Sequence, residues 1–284
     1  MDILLLFDYL PKVLRNIAYR MPREFRERGE EIRIRANRPL KAVIDGKSFS
    51  VEENGAFFES GGFIVSPGLI KSCFEQFTAM SPYAFESEIA NGYITVEGGH
   101  RIGFCGTKTG KTMRDISSFN IRISREVRGV SDEVDFSDIK NTLVISPPGG
   151  GKTTFLRDAA RRISNCGKKV CIIDERCEIA ASFRGVLQHD VGENTDVLSG
   201  FLLSEGIMTA LRTMGPDIIV TDEIGGRADE DAISAALKSG VKVLASAHGG
   251  SKDEAIFRLG DLANSFERFI IIEKQCDVRR VLVV

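Results

Sequence analysis

Apolar side chains recur at helical spacing near the start of the chain, which predicts a helix over residues 1–29. The apolar positions are Leu6, Leu10, Val13, Leu14 and Ile17. Apolar and polar residues then alternate over residues 31–35, as they do in a strand with one buried face. The runs at 42–44 and 48–51 enclose Asp45-Gly46, and such a pair between two strands predicts a β-hairpin.

Helix signals follow, and then a return to strand spacing. Ser66-Pro67 predicts one helix start, Ser81-Pro82 predicts a second, and Asn91-Gly92 ends that second helix. Alternation then returns in short segments at residues 93–96, 101–104 and 119–123. We therefore predict a smaller α+β domain over residues 1–130.

Short β-branched runs alternate with helical stretches in the rest of the chain. The runs are residues 143–145, 170–173, 218–220 and 241–244. Strands of this kind are typical of a parallel sheet that helices cover on both faces. Because the sequence turns acidic and loses long apolar runs between Glu126 and Asn141, we place the boundary there and predict an α/β domain with a parallel-sheet core over residues 131–284.

The composition indicates a folded globular protein, with 43% hydrophobic and 27% charged residues. The formal net charge of −2 argues against a surface built to bind nucleic acid, because such binding depends on neutralising phosphates. The apolar opening, residues 3–7, is far shorter than a bilayer span and follows Asp2 rather than a basic stretch. We expect a cytoplasmic protein whose contact with a membrane depends on a partner.

Gly-Lys-Thr occurs twice, at residues 110–112 and 151–153, and the surroundings distinguish the two copies. Alternating strand sequence follows the first copy, which predicts a hairpin turn. An apolar strand precedes the second copy, and residues 155–163 follow it with one apolar helical face. Strand, glycine-rich loop and helix in this order predict a phosphate loop.

The predicted phosphate loop is Ser146–Thr154, in which Ser146 replaces the usual first glycine. Its consecutive glycines let backbone N–H groups surround an anion, and the following helix presents its positive N-terminus to phosphates. Lys152 is expected to reach the β- and γ-phosphates of ATP, and Thr153 to bind Mg²⁺. The predicted nucleotide-binding residues are Pro148, Gly149, Gly150, Gly151, Lys152, Thr153 and Thr154.

A pair of acids follows the strand at 218–220. A triphosphate site needs one carboxylate for the metal ion and a second to orient the attacking water, both at the carboxyl edge of the sheet. We expect Asp222 to hold Mg²⁺ through water and Glu223 to act as the general base.

An acidic cluster and a histidine lie at the ends of two further strands of the predicted sheet. Asp174-Glu175-Arg176, with Glu178, follows the run at 170–173 and makes Glu175 a catalytic candidate; salt bridging in a loop is the alternative. His248 follows the strand that includes residues 243–247, so it also emerges at the sheet edge, where it could sense the γ-phosphate. A purely structural histidine is the alternative.

Together these blocks resemble the type II and type IV secretion ATPase superfamily over nearly the whole chain. In that superfamily an N-terminal α+β domain precedes a RecA-like domain with a Walker A motif, an acidic box, a Walker B motif and a histidine box. The matching blocks here are residues 146–154, 174–178, 218–224 and 245–249. Asp222-Glu223-Ile224-Gly225 with Ser246-Ala247-His248-Gly249 indicates a sporulation branch, whereas residues 201–204 lack the expected lysine.

The resemblance implies a Mg²⁺-dependent ATPase that forms a homohexamer. It implies work on the cytoplasmic face of a membrane complex, among integral membrane components of a secretion-like sporulation channel. It also implies nucleotide-contacting arginines in the N-terminal domain, where Arg101, Arg122 and Arg125 are candidates for completing a neighbouring subunit's site. Ordinary exposed strand arginines are the alternative.

Two other functions share parts of this sequence pattern. A RecA-like nucleic-acid motor would use the same ATP chemistry but needs a basic groove or stacking aromatic residues. The chain has no tryptophan and no basic stretch interleaved with aromatics, so we expect no nucleic-acid partner. A nucleotide-gated scaffold with little turnover is the second alternative, and the intact Asp222-Glu223 pair argues against it.

Overall fold

A computed structural model describes residues 3–81, 85–90, 92–110, 112–275 and 278–284. The chain divides into two compact units, Met1–Arg125 and Glu126–Val284. The first unit is α+β and the second is α/β with a mostly parallel sheet, so the predicted fold class is confirmed. Within the described ranges, no helix has both the length and the apolar character needed to cross a bilayer.

The opening helical segment differs from the prediction of one helix over residues 1–29. The described residues there form α1 (Ile3–Asp8), α2 (Lys12–Arg20) and α3 (Arg23–Arg28). Pro11 and Pro22 directly precede α2 and α3, and a proline interrupts a helix because it lacks an N–H and its ring clashes with the preceding turn. Val13 is 47% exposed, so its assignment to the apolar stripe was wrong.

The first unit contains an antiparallel sheet. Its strands are β1 (Gly29–Arg35), β2 (Lys41–Ile44), β3 (Lys47–Val51), β4 (Phe57–Phe58), β5 (Tyr93–Thr95), β6 (Arg101–Thr109) and β7 (Thr112–Arg122). In the described part of the unit their order is β4-β3-β2-β1-β7-β6-β5. Asp45 and Gly46 join β2 to β3 with φ angles of 48° and 74°, as a type I′ turn requires, so the predicted hairpin is confirmed.

Helices α4 (Pro67–Phe77) and α5 (Glu86–Ala90) contact β7. Ser66 caps α4, because its Oγ accepts a hydrogen bond from the Leu69 N–H at 3.2 Å, and the predicted helix start is confirmed. The second predicted start, Ser81-Pro82, and the predicted end at Asn91-Gly92 each include a residue outside the described ranges.

In the first Gly-Lys-Thr copy, Gly110 directly follows β6 and Thr112 begins β7. Thr109 of β6 pairs with Thr112 of β7, so these antiparallel strands form the hairpin that the sequence predicts. Lys111 itself lies outside the described residues. Both strands extend well beyond the predicted segments at 101–104 and 119–123.

The second unit alternates strands and helices along the chain. In order they are β8 (Thr142–Ser146), α6 (Lys152–Asn165), β9 (Val170–Asp174), β10 (Thr195–Ser199), α7 (Leu203–Thr213), β11 (Ile218–Glu223), α8 (Arg227–Lys238), β12 (Lys242–His248), α9 (Lys252–Leu259), a 3-10 helix (Gly260–Ser265), β13 (Arg268–Gln275) and β14 (Val278–Val283). Across the described strands of this sheet the order is β10-β9-β11-β12-β8-β13-β14, and β14 is antiparallel to β13.

The sheet of the second unit is buried on both faces. Every residue of β8 and of β9 is buried, as a parallel sheet between helices requires. Leu143 and Ile145 belong to one apolar cluster, and Val144 belongs to the cluster on the opposite face. Because β12 pairs with β8 on one side and with β11 on the other, the carboxyl ends of these three strands share one edge.

His100 lies in the core of the first unit and gives its stability a pH dependence. The Ser124 N–H donates to His100 Nδ1 at 3.1 Å, and burial together with the charge of Arg125 lowers the pKa of His100 to about 4. In the unfolded chain the pKa is about 6.5, so between these values the unfolded state binds a proton that the folded state does not. Stability is therefore lost as pH falls, by about 2 kcal/mol at pH 5.

Urea unfolding at pH 7 and pH 5 checks this prediction. In His100→Asn the amide oxygen can still accept from Ser124 while the titration is removed, so the loss between the two pH values should shrink by about 2 kcal/mol. Equal losses in the two proteins would show that His100 does not carry the effect.

Candidate functional site

The predicted phosphate loop connects β8 to α6. Gly149 and Gly151 have φ angles of 73° and 102°, in the left-handed region that favours glycine. Helix α6 begins at Lys152, directly after the three glycines, so its N-terminal N–H groups lie beside them. This arrangement suits an anion, because the helix dipole and unpaired backbone donors act together.

Ser146 and Gly150 are sterically matched within the loop. Ser146 is fully buried, and a Cβ added to Gly150 would overlap Ser146 Oγ. Gly150 has no positive φ, so the serine side chain, rather than the backbone conformation, requires glycine at this position. The serine that departs from the usual motif thus occupies space that Gly150, the second of the three loop glycines, leaves open.

A double substitution tests this steric match. Gly150→Ala should lower nucleotide affinity and cost roughly 1–3 kcal/mol of stability, because the loop must distort to admit the methyl group. Adding Ser146→Gly should restore both quantities, as measured by titration with a fluorescent nucleotide and by urea unfolding. If the double variant is no better than Gly150→Ala, the clash with Ser146 is not the cause.

Lys152 is held inside its own loop and against the neighbouring strand. Its Nζ donates to Ser146 O at 2.8 Å and Pro147 O at 3.3 Å, and lies 2.8 Å from His248 Nδ1. Burial lowers the pKa of Lys152, and the negative charges of Glu223 and Asp222 oppose that shift. The structure therefore brings together the predicted phosphate lysine and the predicted histidine.

A β-bulge places Asp222 and Glu223 along β12. The pairing of β11 with β12 shifts between Val220 and Glu223. Asp222 Oδ1 accepts from Ser246 Oγ at 3.3 Å, and Glu223 Oε2 lies 2.9 Å from His248 Nε2. Two consecutive side chains thus contact two residues on the same side of one strand.

The surroundings of Asp222 fit a divalent cation. Burial raises the pKa of Asp222, and the charge of Glu178 raises it further. A buried carboxylate beside another acid is relieved by a cation. Mg²⁺ prefers oxygen ligands such as the Asp222 carboxylate, and the expectation that Asp222 and Thr153 bind Mg²⁺ stays a prediction.

In the acidic cluster at the end of β9, Asp174 has a structural role. Asp174 is fully buried, and its carboxylate accepts hydrogen bonds from the backbone N–H groups of Glu178, Ile179 and Ala180. Arg157 of α6 donates to the carbonyls of Ile179 and Glu178. The loop that carries the acidic cluster is therefore tied to the strand β9 and to the helix that follows the phosphate loop.

Glu175 makes a different contact from the one expected of a catalytic acid. Its Oε2 accepts from the Leu203 N–H at 3.3 Å, at the first turn of α7, where the helix dipole favours negative charge. The suggested catalytic role of Glu175 stays a prediction, and this contact supports the structural alternative.

The three candidate arginines of the first unit differ in their surroundings. Arg101 of β6 lies opposite Arg122 of β7, and the Arg101 guanidinium lies 3.4 Å from the centre of the Tyr93 ring. Arg122 is exposed. Arg125 donates to backbone carbonyls at the end of α3, including Gly29 O at 2.9 Å, so its guanidinium has a structural position.

Sequence reasoning did not find Ser246 or Arg157 as organisers of the site. Ser246 lies in the block that the family resemblance identified, but its contact with Asp222 spans two strands. Arg157 lies on α6 beside the apolar stripe, where a charge is normally exposed, yet it is only 7% exposed. No local signal in the sequence distinguishes either residue.

Known proteins resemble the chain along most of its length. The family described as "Sporulation stage III, protein AA" matches residues 5–284. Stage III sporulation protein AA of Bacillus subtilis (strain 168) is 37% identical over 287 residues, which cover 94% of this chain and 90% of that protein.

Solved structures of ATPases share the fold. The pilus retraction motor PilT with bound ADP has a TM-score of 0.61, with 14% identity over 90% of this chain and 78% of its own. The Legionella pneumophila ATPase DotB has a TM-score of 0.58, with 14% identity over 90% of this chain and 76% of its own. The chain thus has the RecA-like fold of secretion ATPases.

Proposed function

Because the chain belongs to the stage III sporulation protein AA family, we propose that it is a Mg²⁺-dependent ATPase of the secretion-ATPase type. It hydrolyses ATP to drive assembly of, or transport through, a membrane secretion-like complex during sporulation. The proposal combines the family, the fold shared with secretion ATPases and the chemistry of the second unit.

One observation carries the proposal: Lys152, His248 and Glu223 converge from α6, β12 and β11. The imidazole lies 2.8 Å from the ammonium group and 2.9 Å from the carboxylate. A glycine-rich turn that contained a lysine by chance would have no reason to collect a carboxylate and a histidine from two other strands. A site for phosphate chemistry needs this combination of cation, base and orienting group.

Each residue then has a role in hydrolysis. The loop N–H groups and Lys152 bind the β- and γ-phosphates, and Thr153 with Asp222 holds Mg²⁺. When bound, Mg²⁺ neutralises charge that develops on phosphate oxygens. Glu223 orients the attacking water and takes its proton.

We further propose that the subunits form a homohexamer on the cytoplasmic face of the membrane, where integral membrane components of the sporulation channel are its partners. Arg101 and Arg122, adjacent on β6 and β7, are the candidates for completing a neighbouring subunit's site. Phosphoryl transfer spreads negative charge over the γ-phosphate oxygens, and a guanidinium delivered in trans contributes about 10³ to 10⁵ in rate.

Phosphate release by mixed subunits tests the proposal. The unmodified chain should release phosphate from ATP with Mg²⁺ and stop when EDTA removes the metal. Arg122→Ala and Glu223→Gln, each inactive alone, should regain hydrolysis when co-assembled, because some sites then contain both an intact base and a neighbour's arginine. Arg114→Ala changes another exposed arginine of β7 and should hydrolyse normally.

One outcome would contradict the proposed ATP hydrolysis, and another would contradict the proposed arginine in trans. If the unmodified chain binds ATP but releases no phosphate, it is a nucleotide-gated scaffold. If rings form in the mixture and stay inactive, the arginine does not act in trans.

A further inference from the structure

All three N–H groups of the Lys152 ammonium have acceptors within the chain. They are Ser146 O, Pro147 O and His248 Nδ1, at 2.8, 3.3 and 2.8 Å. An ammonium group has three N–H donors and no lone pair, so Lys152 donates and Nδ1 accepts. Lys152 can therefore bind a phosphate oxygen fully only by releasing one of these acceptors.

Of the three acceptors, the imidazole of His248 is the one that can turn away. Ser146 O and Pro147 O belong to the loop backbone, and β8 pairs with β12 at Ser146 and His248. Arg258 donates to His248 O at 2.7 Å, and this contact restrains the histidine backbone and not its ring. The ring is also partly open to solvent, with 32% of the side chain exposed.

The same ring also holds Glu223. Because Nδ1 accepts from Lys152, the proton of the neutral imidazole lies on Nε2, and Nε2 donates to Glu223 Oε2 at 2.9 Å. One imidazole thus engages the phosphate lysine on one side and the candidate general base on the other. A change at Lys152 reaches Glu223 through this ring.

We propose that His248 is a positioning residue that couples phosphate binding at Lys152 to release of the Glu223 carboxylate. This inference rests on the proposed ATPase function and adds a regulation of the same site. A phosphate oxygen replaces Nδ1 on Lys152, and the imidazole loses one of the two contacts that orient it. Glu223 is then free to engage water, so the base becomes available when the phosphate loop is filled.

Two substitutions separate the contacts of His248. In His248→Asn the side-chain oxygen lies near the position of Nδ1, so the acceptor for Lys152 remains and the donor to Glu223 is lost. In His248→Gln the longer amide reaches toward Glu223, so the donor remains and the acceptor near Lys152 is lost. His248→Ala removes both contacts.

The measured quantity is the Kd of the non-hydrolysable analogue AMP-PNP with Mg²⁺, obtained by calorimetry. His248→Gln and His248→Ala should bind about tenfold more tightly than the unmodified chain, because phosphate no longer competes with Nδ1 for Lys152. His248→Asn keeps the acceptor that competes for Lys152, so its affinity should rise by much less than that of His248→Gln. A histidine that only supported the fold would weaken binding when replaced, and urea unfolding of each variant detects that case.

Two results would overturn the coupling. One is binding by His248→Gln that is no tighter than that of the unmodified chain. The other is equal tightening in His248→Asn, which keeps the competing acceptor. Lys152→Ala, measured in parallel, separates this failure from failure of the proposed function: loss of binding in that variant keeps the phosphate-loop assignment, whereas unchanged binding removes it.

Discussion

Lys152→Ala should weaken ATP binding by at least about a hundredfold while the fold survives. The substitution removes the ammonium group assigned to the β- and γ-phosphates, and losing one charged partner from a buried polar site typically costs about 2–5 kcal/mol. The contacts of Lys152 lie within its own loop and with His248, and alanine is a good first residue for α6. Titration with a fluorescent ATP analogue, with circular dichroism as the folding check, measures the effect.

The chain supplies a matched control for this experiment. Lys111 stands in the other Gly-Lys-Thr copy, which alternating strand sequence rather than helical sequence follows. Lys111→Ala should bind ATP with normal affinity. Normal affinity in Lys152→Ala would refute the phosphate-loop assignment, and loss of affinity in Lys111→Ala would show that the sequence context did not distinguish the two copies.

Glu223→Gln should keep ATP and Mg²⁺ binding but slow hydrolysis by at least about a hundredfold, the usual scale for loss of a general base. The amide oxygen can still accept from His248 Nε2, so the variant changes the basicity of the group more than its position. Single-turnover phosphate release, with nucleotide affinity measured alongside, separates hydrolysis from binding.

Glu175→Gln and Glu178→Gln are the comparison variants. If Glu223→Gln retains near-normal turnover and one of these two is inactive, the base belongs to the acidic cluster after β9. The contact of Glu175 with the Leu203 N–H leads us to expect a smaller effect there, of the size of a lost helix-terminal interaction.

The parts of the structure that the sequence could predict depend on neighbours along the chain. The turn at Asp45-Gly46 and the cap at Ser66 each follow from the conformational preferences of one or two residues. The single opening helix was a wrong prediction because the apolar spacing continues across Pro11 and Pro22, so periodicity outweighed the helix breakers.

Strand β10 shows a second limit of sequence pattern. No residue of Thr195–Ser199 is fully buried, and the strand lies at an edge of the sheet, so it lacks the apolar run that marks β8. Its position depends on parallel pairing with β9. Strands β13 and β14 were also not predicted, although Phe269-Ile270-Ile271-Ile272 is the kind of apolar run that indicates a buried strand.

In the candidate site, too, features that are contiguous in the sequence could be predicted, whereas contacts between distant residues could not. The strand, loop and helix around Lys152 are contiguous and therefore visible in sequence, and each strand-end acid could be assigned to an edge. The contact between Lys152 and His248 joins residues that are 96 positions apart, so it follows from the order of strands in the sheet. The sequence alone could not indicate which side of β12 faces the lysine.

The candidate site depends on the register of β12, so it is sensitive to insertions and deletions within that strand. It is hydrogen-bonded to β8 and to β11, and Ser246 and His248, two residues apart, lie on one side of it. Losing or gaining one residue within β12 would slip its register and turn both side chains to the opposite face, while the phosphate loop and α6 kept their sequence. Such a chain would keep the predicted phosphate loop yet lose the contacts of Ser246 and His248 with Asp222 and Glu223. Insertions in the turn at Ser239–Val241 leave that register intact, because the extra residues remain outside the strand.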